Sequence, residues 1–319
     1  MTRILTFCIL AFAASFASAA SLLVLNKEDA TLSIFDPATG QQRGANIPVG
    51  AGPHEVEVAG DGSLAFVGNY GTVQAPGNSL SVIDLRAARE RTRVDLGELR
   101  RPHGLAVQGQ SAYFTAEDAQ YVARYDAATN RVDWRFATGQ QRTHMVLVAR
   151  DGTVITANIQ SDNVSFITPR AGSGAQILVA VGKGPEGMDL TPDGRQLWTA
   201  NSGDGSVSIV DVATRKLVKT FDIGTKRSNR LKFTADGTVA LVSDLTAGEL
   251  LVIDVRTQAV KARLAIGRGA SGILVAPDGS RAYVAAASEG KVVVVDVKTW
   301  SIAGDIRTGR GPDGMAWVP

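Results

Sequence analysis

Residues 182 to 223 carry the pattern on which the whole chain is built. Four short apolar runs, MDL, QLWTA, SVSIV and KLVKTFDI, each alternate with polar residues or are rich in β-branched ones. Runs of this length and period read as β-strands, and the PDG, SGDG and DVAT segments between them supply the Gly, Pro and Asp that chain reversals need. The stretch predicts one antiparallel sheet of four strands, A to D. The turn after strand A recurs as GDG at 60, RDG at 150, PDG at 192, ADG at 235 and PDG at 277. Seven residues before each turn aspartate stand His54, His144, Glu186, Asn229 and Ser271, and the matching PHG and PDG segments add His103 and Asp313. The steps along this series are 49, 41, 42, 43, 42 and 42.

A period of about 42 with four strands per unit is the signature of β-propeller blades. Residues 21 to 49 (LLVLN, TLSIFD, GANIPV) match strands B, C and D without an A, and GPDGMAWVP at 311 to 319 supplies that A. The two ends are therefore expected to share one sheet, closing an all-β ring of seven blades and removing the sheet edges that an open array would expose. The long step comes from an insertion, YGTVQAPGN, at 70 to 78, expected as a loop or lid over one mouth. The Gly-rich PRAGSGAQ is expected as a link after a strand C ending near Thr168. Asp36, Asp84, Asp126, Asp211, Asp254 and Asp296 close strand C in six blades and read as turn residues bonding their own backbone, not as an acidic metal ring. Trp134, Trp198, Trp300 and Trp317 are expected in strands, packing the core.

At 319 residues and 45% apolar content the chain can bury a large core, which excludes a disordered protein. Residues 1–19 hold Arg3, the apolar run ILTFCILAFAA and the AxA end Ala17, Ser18, Ala19, so they read as a signal peptide cleaved before Ala20. The mature domain is then 20–319, without cysteine because Cys8 leaves with the leader, and without an apolar stretch long enough to span a bilayer. A soluble periplasmic or secreted protein is expected. The formal charge of +2 selects no partner class.

The strand B segments WTAN at 198, ITAN at 155, FVGN at 66 and YVAA at 283, with the GxGPxG and PDG elements, resemble the YVTN family of β-propeller proteins. The resemblance covers essentially the whole mature chain and implies an exported propeller serving as a binding platform. It implies no particular activity.

Strand parity brings the D-to-A and B-to-C loops to one face, so the seven-residue series and the strand B ends meet at one mouth of the central channel. The strand B ends are Asn26, Asn69, Glu117, Asn158, Asn201, Asp244 and Ala286. The three histidines of the mature chain, His54, His103 and His144, all fall in the series on consecutive blades. Neutral imidazoles with an open position suit a copper, zinc or iron centre, with Glu186 as a fourth ligand or catalytic base and Asp313 as an outer partner. Against this, the positions two further along (Val56, Leu105, Val146, Met188, Leu231, Ile273 and Met315) are all apolar, so the series residues are alternatively wedged between blades. Glycine follows the series at 104, 187, 272 and 314, which reads as room at the mouth.

The D-to-A loops add Arg100, Arg101, Arg142, Lys183, Lys226, Arg227, Arg268 and Arg310, with Arg230 just inside strand A. Such a rim focuses potential toward anions. Three functions are thus open. The first is a binding or scaffold protein whose mouth takes an anionic small molecule, glycan or protein through Asn69, Asn158, Asn201, Asp313 and the cations, with or without a metal. The second is a metal-dependent enzyme, an oxidoreductase, hydrolase or lyase on the three histidines. The third is a binder of single-stranded nucleic acid or another polyanion. The sequence has no nucleophile elbow, no phosphate-cradling loop and no haem-attachment CxxCH.

Overall fold

The computed structural model describes residues 20–170 and 173–319, so the expected leader lies outside the described residues. The strands form seven four-stranded antiparallel sheets arranged as a β-propeller. Helix among the described residues is limited to the 3-10 turns Ile159–Ser161 and Ala287–Glu289. Ser21–Asn26 pairs with Thr31–Phe35 on one side and with Pro312–Val318 on the other, so the ends share a sheet as expected. No described helix is long and apolar enough to cross a membrane.

The innermost strands are Pro53–Val58, Pro102–Gln108, Thr143–Val148, Pro185–Leu190, Ser228–Phe233, Ala270–Val275 and Pro312–Val318. Their Val56, Leu105, Val146, Met188, Leu231, Ile273 and Met315 are buried, as are Phe66, Phe114 and Trp198 from strands further out. Each such side chain contributes about 1.5–3 kcal/mol on burial, and the packing welds neighbouring blades: Phe66 and Tyr125, from successive blades, meet edge-on at 6.0 Å. Three outermost strands, Arg89–Asp95, Arg131–Ala137 and Val260–Ala265, alternate half-buried and exposed residues, while Lys216–Asp222 and Ser301–Arg307 are exposed along most of their length.

The turn aspartates act as their positions imply. Asp61, Asp151, Asp236 and Asp278 accept from the amide two residues on, and Asp84, Asp211, Asp254 and Asp296 from the amide three residues on. Three expectations change. The insertion is no free loop but an extension of a hairpin, Leu64–Gly71 with Pro76–Asp84, closed by Thr72 N donating to Ala75 O at 2.9 Å. Strands Asn163–Arg170 and Ser173–Ala180 pair out to Arg170, carrying the sheet past Thr168. Trp300 sits at φ 52 in a turn, not in a strand.

Candidate functional site

Every innermost strand has one extra residue at the same place. The pairing shifts register between Pro53 and Val56, Pro102 and Leu105, Thr143 and Val146, Pro185 and Gly187, Ser228 and Leu231, Ala270 and Ile273, and opposite Val24 to Asn26 on the closing strand. A β-bulge re-aims a side chain. Here it breaks the parity that would wedge the series residues between blades, because the apolar positions stay buried while the series turns to the channel. All seven, His54, His103, His144, Glu186, Asn229, Ser271 and Asp313, line one cavity of about 170 Å³ at the mouth.

The three imidazoles form a stack. His103 lies 3.7 Å from His144 and 4.5 Å from His54 between ring centroids, and Tyr70 meets His54 and His103 edge-on at 4.8 and 5.4 Å. His144 Nδ1 bonds the Glu117 carboxylate, whose other oxygen accepts from Tyr70 Oη at 2.5 Å, with Arg142 at 3.6 Å. Asp313 Oδ2 stands 3.0 Å from His54 Nδ1 and accepts from Lys27 Nζ at 3.2 Å. Arg101 lies 4.8 Å over the Tyr70 ring and donates to Thr72 O at 3.2 Å, pinning the hairpin across the histidines.

Burial holds the His103 imidazolium well below its ordinary range, reinforced by its histidine neighbours, and burial likewise lowers His54 against the pull of Asp313. Both are neutral at pH 7, the form that ligates metals. Burial tends to raise Glu117, but the bonds from His144 and Tyr70 overcome it and hold the carboxyl at about 2. Asp313 is likewise opposed by burial, and Lys27 and His54 keep it below the carboxylate range. Tyr70 is pushed up to about 12 by burial and by Glu117, so it stays a phenol.

Buried polar groups are normally hydrogen-bonded, yet His103 Nδ1 and His144 Nε2 have no partner. Ligand atoms of His103, Glu117 and His144 lie within 4.8 Å of one another. A carboxylate on one imidazole nitrogen with the other nitrogen free is the arrangement that orients histidines toward a metal, so these residues fit a transition-metal ion.

The remaining predicted residues divide. Arg142 and Arg230 line the cavity, whereas Arg100, Lys183, Arg268 and Arg310 do not, and Arg310 is spent on Asp29 at 2.6 Å. Asn69, Asn158 and Asn201 are fully buried inside their blades and do not reach the mouth; their amides donate to Ser81, Ser165 and Ser208 at 2.9, 2.9 and 3.0 Å. In four of the seven blades the residue just beyond the strand B end lines the cavity instead: Lys27, Tyr70, Leu245 and Ala287. One residue of offset reverses the face a strand side chain takes, so in these four blades the position after the strand B end faces the mouth, whereas in another the strand B end itself, Glu117, joins the site through His144 and Tyr70. Nor do the glycines make room. A Cβ at Gly104, Gly187, Gly272 or Gly314 would come within 2.1 to 2.7 Å of the next innermost strand's backbone, so glycine serves close approach of blades.

No family model matches the chain, and no curated protein matches it; the YVTN resemblance rests on the strand motifs. Solved structures do align. The hydrazine synthase of Kuenenia stuttgartiensis has a TM-score of 0.75 at 18% identity, over 86% of this chain and 92% of that one. A 6-phosphogluconolactonase-like protein of Bacteroides fragilis gives 0.76 at 15% identity, over 96% and 99%. The dihydro-heme d1 dehydrogenase NirN in complex with DHE gives 0.66 at 17% identity, over 92% and 74%. These likenesses define the fold class, a seven-bladed β-propeller, and at such identities nothing finer.

Proposed function

We propose that the chain is an exported binding propeller whose channel mouth holds one transition-metal ion on His103 and His144, leaving a coordination position for a small anionic ligand. The observation that carries this reading is the pair of buried nitrogens, His103 Nδ1 and His144 Nε2, with no hydrogen-bond partner. Leaving such groups unpaired costs about 1–3 kcal/mol each, which a bound cation offsets. Imidazole donors suit copper, zinc or iron. Glu117 sets the tautomer of His144, and His54 with Asp313 completes the wall.

Charge and size select the ligand. Arg142 and Arg227 stand half-exposed at the cavity, 3.6 Å from Glu117 and 3.9 Å from Glu186, and favour an anion. A volume of about 170 Å³ is below the roughly 300 Å³ at which drug-sized sites begin. That suits an inorganic anion or a short carboxylic acid. The macrocycle for which the dihydro-heme d1 dehydrogenase is named would not fit inside. A glycan or nucleic acid is disfavoured, since Tyr70 is already packed by Arg101, His54 and His103 and is not presented for base stacking.

A second reading, a metal-dependent enzyme, draws on Glu186. Its carboxylate lies on the same wall, 7% exposed, and accepts from Asn229 Nδ2 at 2.7 Å, where it would serve a metal-bound water as base.

Azide added to the copper-loaded protein tests the site. A charge-transfer band should appear, and replacing both Arg142 and Arg227 by Ala should weaken azide binding about tenfold or more, as should high salt. No band, or azide binding indifferent to both changes, refutes the anion site.

A further inference from the structure

Below the mouth an ion pair crosses the channel. Arg230, 5% exposed, bonds Glu55, 175 residues away on the other side of the axis. Arg230 lines the 170 Å³ mouth cavity and also a second one of about 450 Å³ that runs to the far face. The Arg230–Glu55 pair is thus the partition between them.

Two residues further along the same two strands stand Glu57 and Lys232, again on facing walls. They are the other charged side chains lining the lower cavity, and neither has a hydrogen bond or close ion pair of its own. Asp189, the acid that most stabilises the Lys232 ammonium, has its oxygens committed to the amides of Leu190 and Phe233 and does not line the cavity. Between the two charges the wall is apolar: Ala106, Leu147, Leu274 and Ala316.

We propose that this lower cavity binds a small zwitterion, its ammonium on Glu57, its carboxylate on Lys232 and a short apolar frame against Leu147 and Leu274. The volume of about 450 Å³ falls in the range of small-molecule sites, which are apolar cavities with a few convergent polar groups. A ligand with one charge would leave the opposite wall unpaired in a low-dielectric channel, a costly arrangement. Burial pushes the Glu57 carboxyl up to about 7 against the pull of Lys232, as for a carboxylate lacking its own counter-ion. The site is independent of any metal at the mouth.

Calorimetric titration with ε-aminocaproate and leucine, beside hexylamine and hexanoate, tests this. At least one zwitterion should saturate the protein about tenfold or more tightly than either single-charge compound. Glu57→Gln and Lys232→Met should each cost about tenfold or more in that affinity in variants that still unfold cooperatively, and His103→Ala should leave it unchanged. If either variant fails to fold, the wild-type comparison decides. No saturation by either zwitterion up to about 10 mM, well past weak millimolar binding, overturns the proposal. So does binding matched by hexylamine or hexanoate, or binding that survives in folded Glu57→Gln and Lys232→Met.

Discussion

Replacing Arg230 by Met should cost about 3–5 kcal/mol of stability, the range for removing one partner of a buried ion pair. The side chains of Arg230 and Glu55 are only 6% and 15% exposed, and their bond joins segments 175 residues apart in the chain. The loss should be asymmetric. Arg230 also feels Asp313 and Glu186, so Glu55→Leu leaves a cation with other acids nearby and should cost less than Arg230→Met, which strands Glu55. The double variant replaces both charges by apolar groups and should recover most of the loss, because apolar substitutes for a buried pair are often neutral or better. The coupling energy should then be about 3 kcal/mol or more, at or above the top of the range for residues in contact. Urea unfolding followed by tryptophan fluorescence, with buried Trp198 as reporter, measures all four corners of the cycle. Additive single effects, or single losses under about 1 kcal/mol, would refute the partition.

Glu57 makes stability depend on pH. Its folded value of about 7 lies above the ordinary 4.5, so the folded state holds the proton more tightly and stability falls as pH rises from about 4.5 to about 7. The gap corresponds to roughly 3 kcal/mol at most, an upper figure because Glu57 faces the channel; Glu57→Gln should match the wild type at pH 4 and exceed it at pH 8, and parallel pH profiles would contradict this. Gly272→Ala should lose about 1–3 kcal/mol by overpacking, because its Cβ would meet Asp313 O at 2.1 Å, while Gly60→Ala, whose nearest contact is 3.6 Å, should be tolerated; equal thermal midpoints would be wrong. Asn201→Ala should cost about 1–3 kcal/mol by taking from buried Thr199 Oγ1 its acceptor, Asn201 Oδ1 at 2.9 Å, without altering metal uptake, and a loss of metal would return that residue to the site.

The blade period, the shared closing sheet and the turn aspartates were readable because each rests on local chemistry: strand alternation, Gly and Asp in reversals, a matching fragment at each end. The series His54 to Asp313 was readable as a phase, but its direction was not, since the bulge that turns it inward exists only in the pairing of Pro53–Val58 with Leu64–Gly71 and its counterparts. The strand B asparagines share a face with strand C serines, and nothing in a one-chain pattern separates them from Lys27 or Tyr70 one position later. Glu55, Glu57, Arg230 and Lys232 stand on alternating positions of two innermost strands, a visible pattern. Only the closed ring sets those strands across the axis from each other.

The assignment of the mouth to a metal is tested most directly by the metal content of untagged protein purified without chelator. One equivalent of copper, zinc or iron per chain is predicted, absent from a His103→Ala variant that keeps its unfolding midpoint. Protein that is isolated metal-free and takes up none of the three on titration would contradict it.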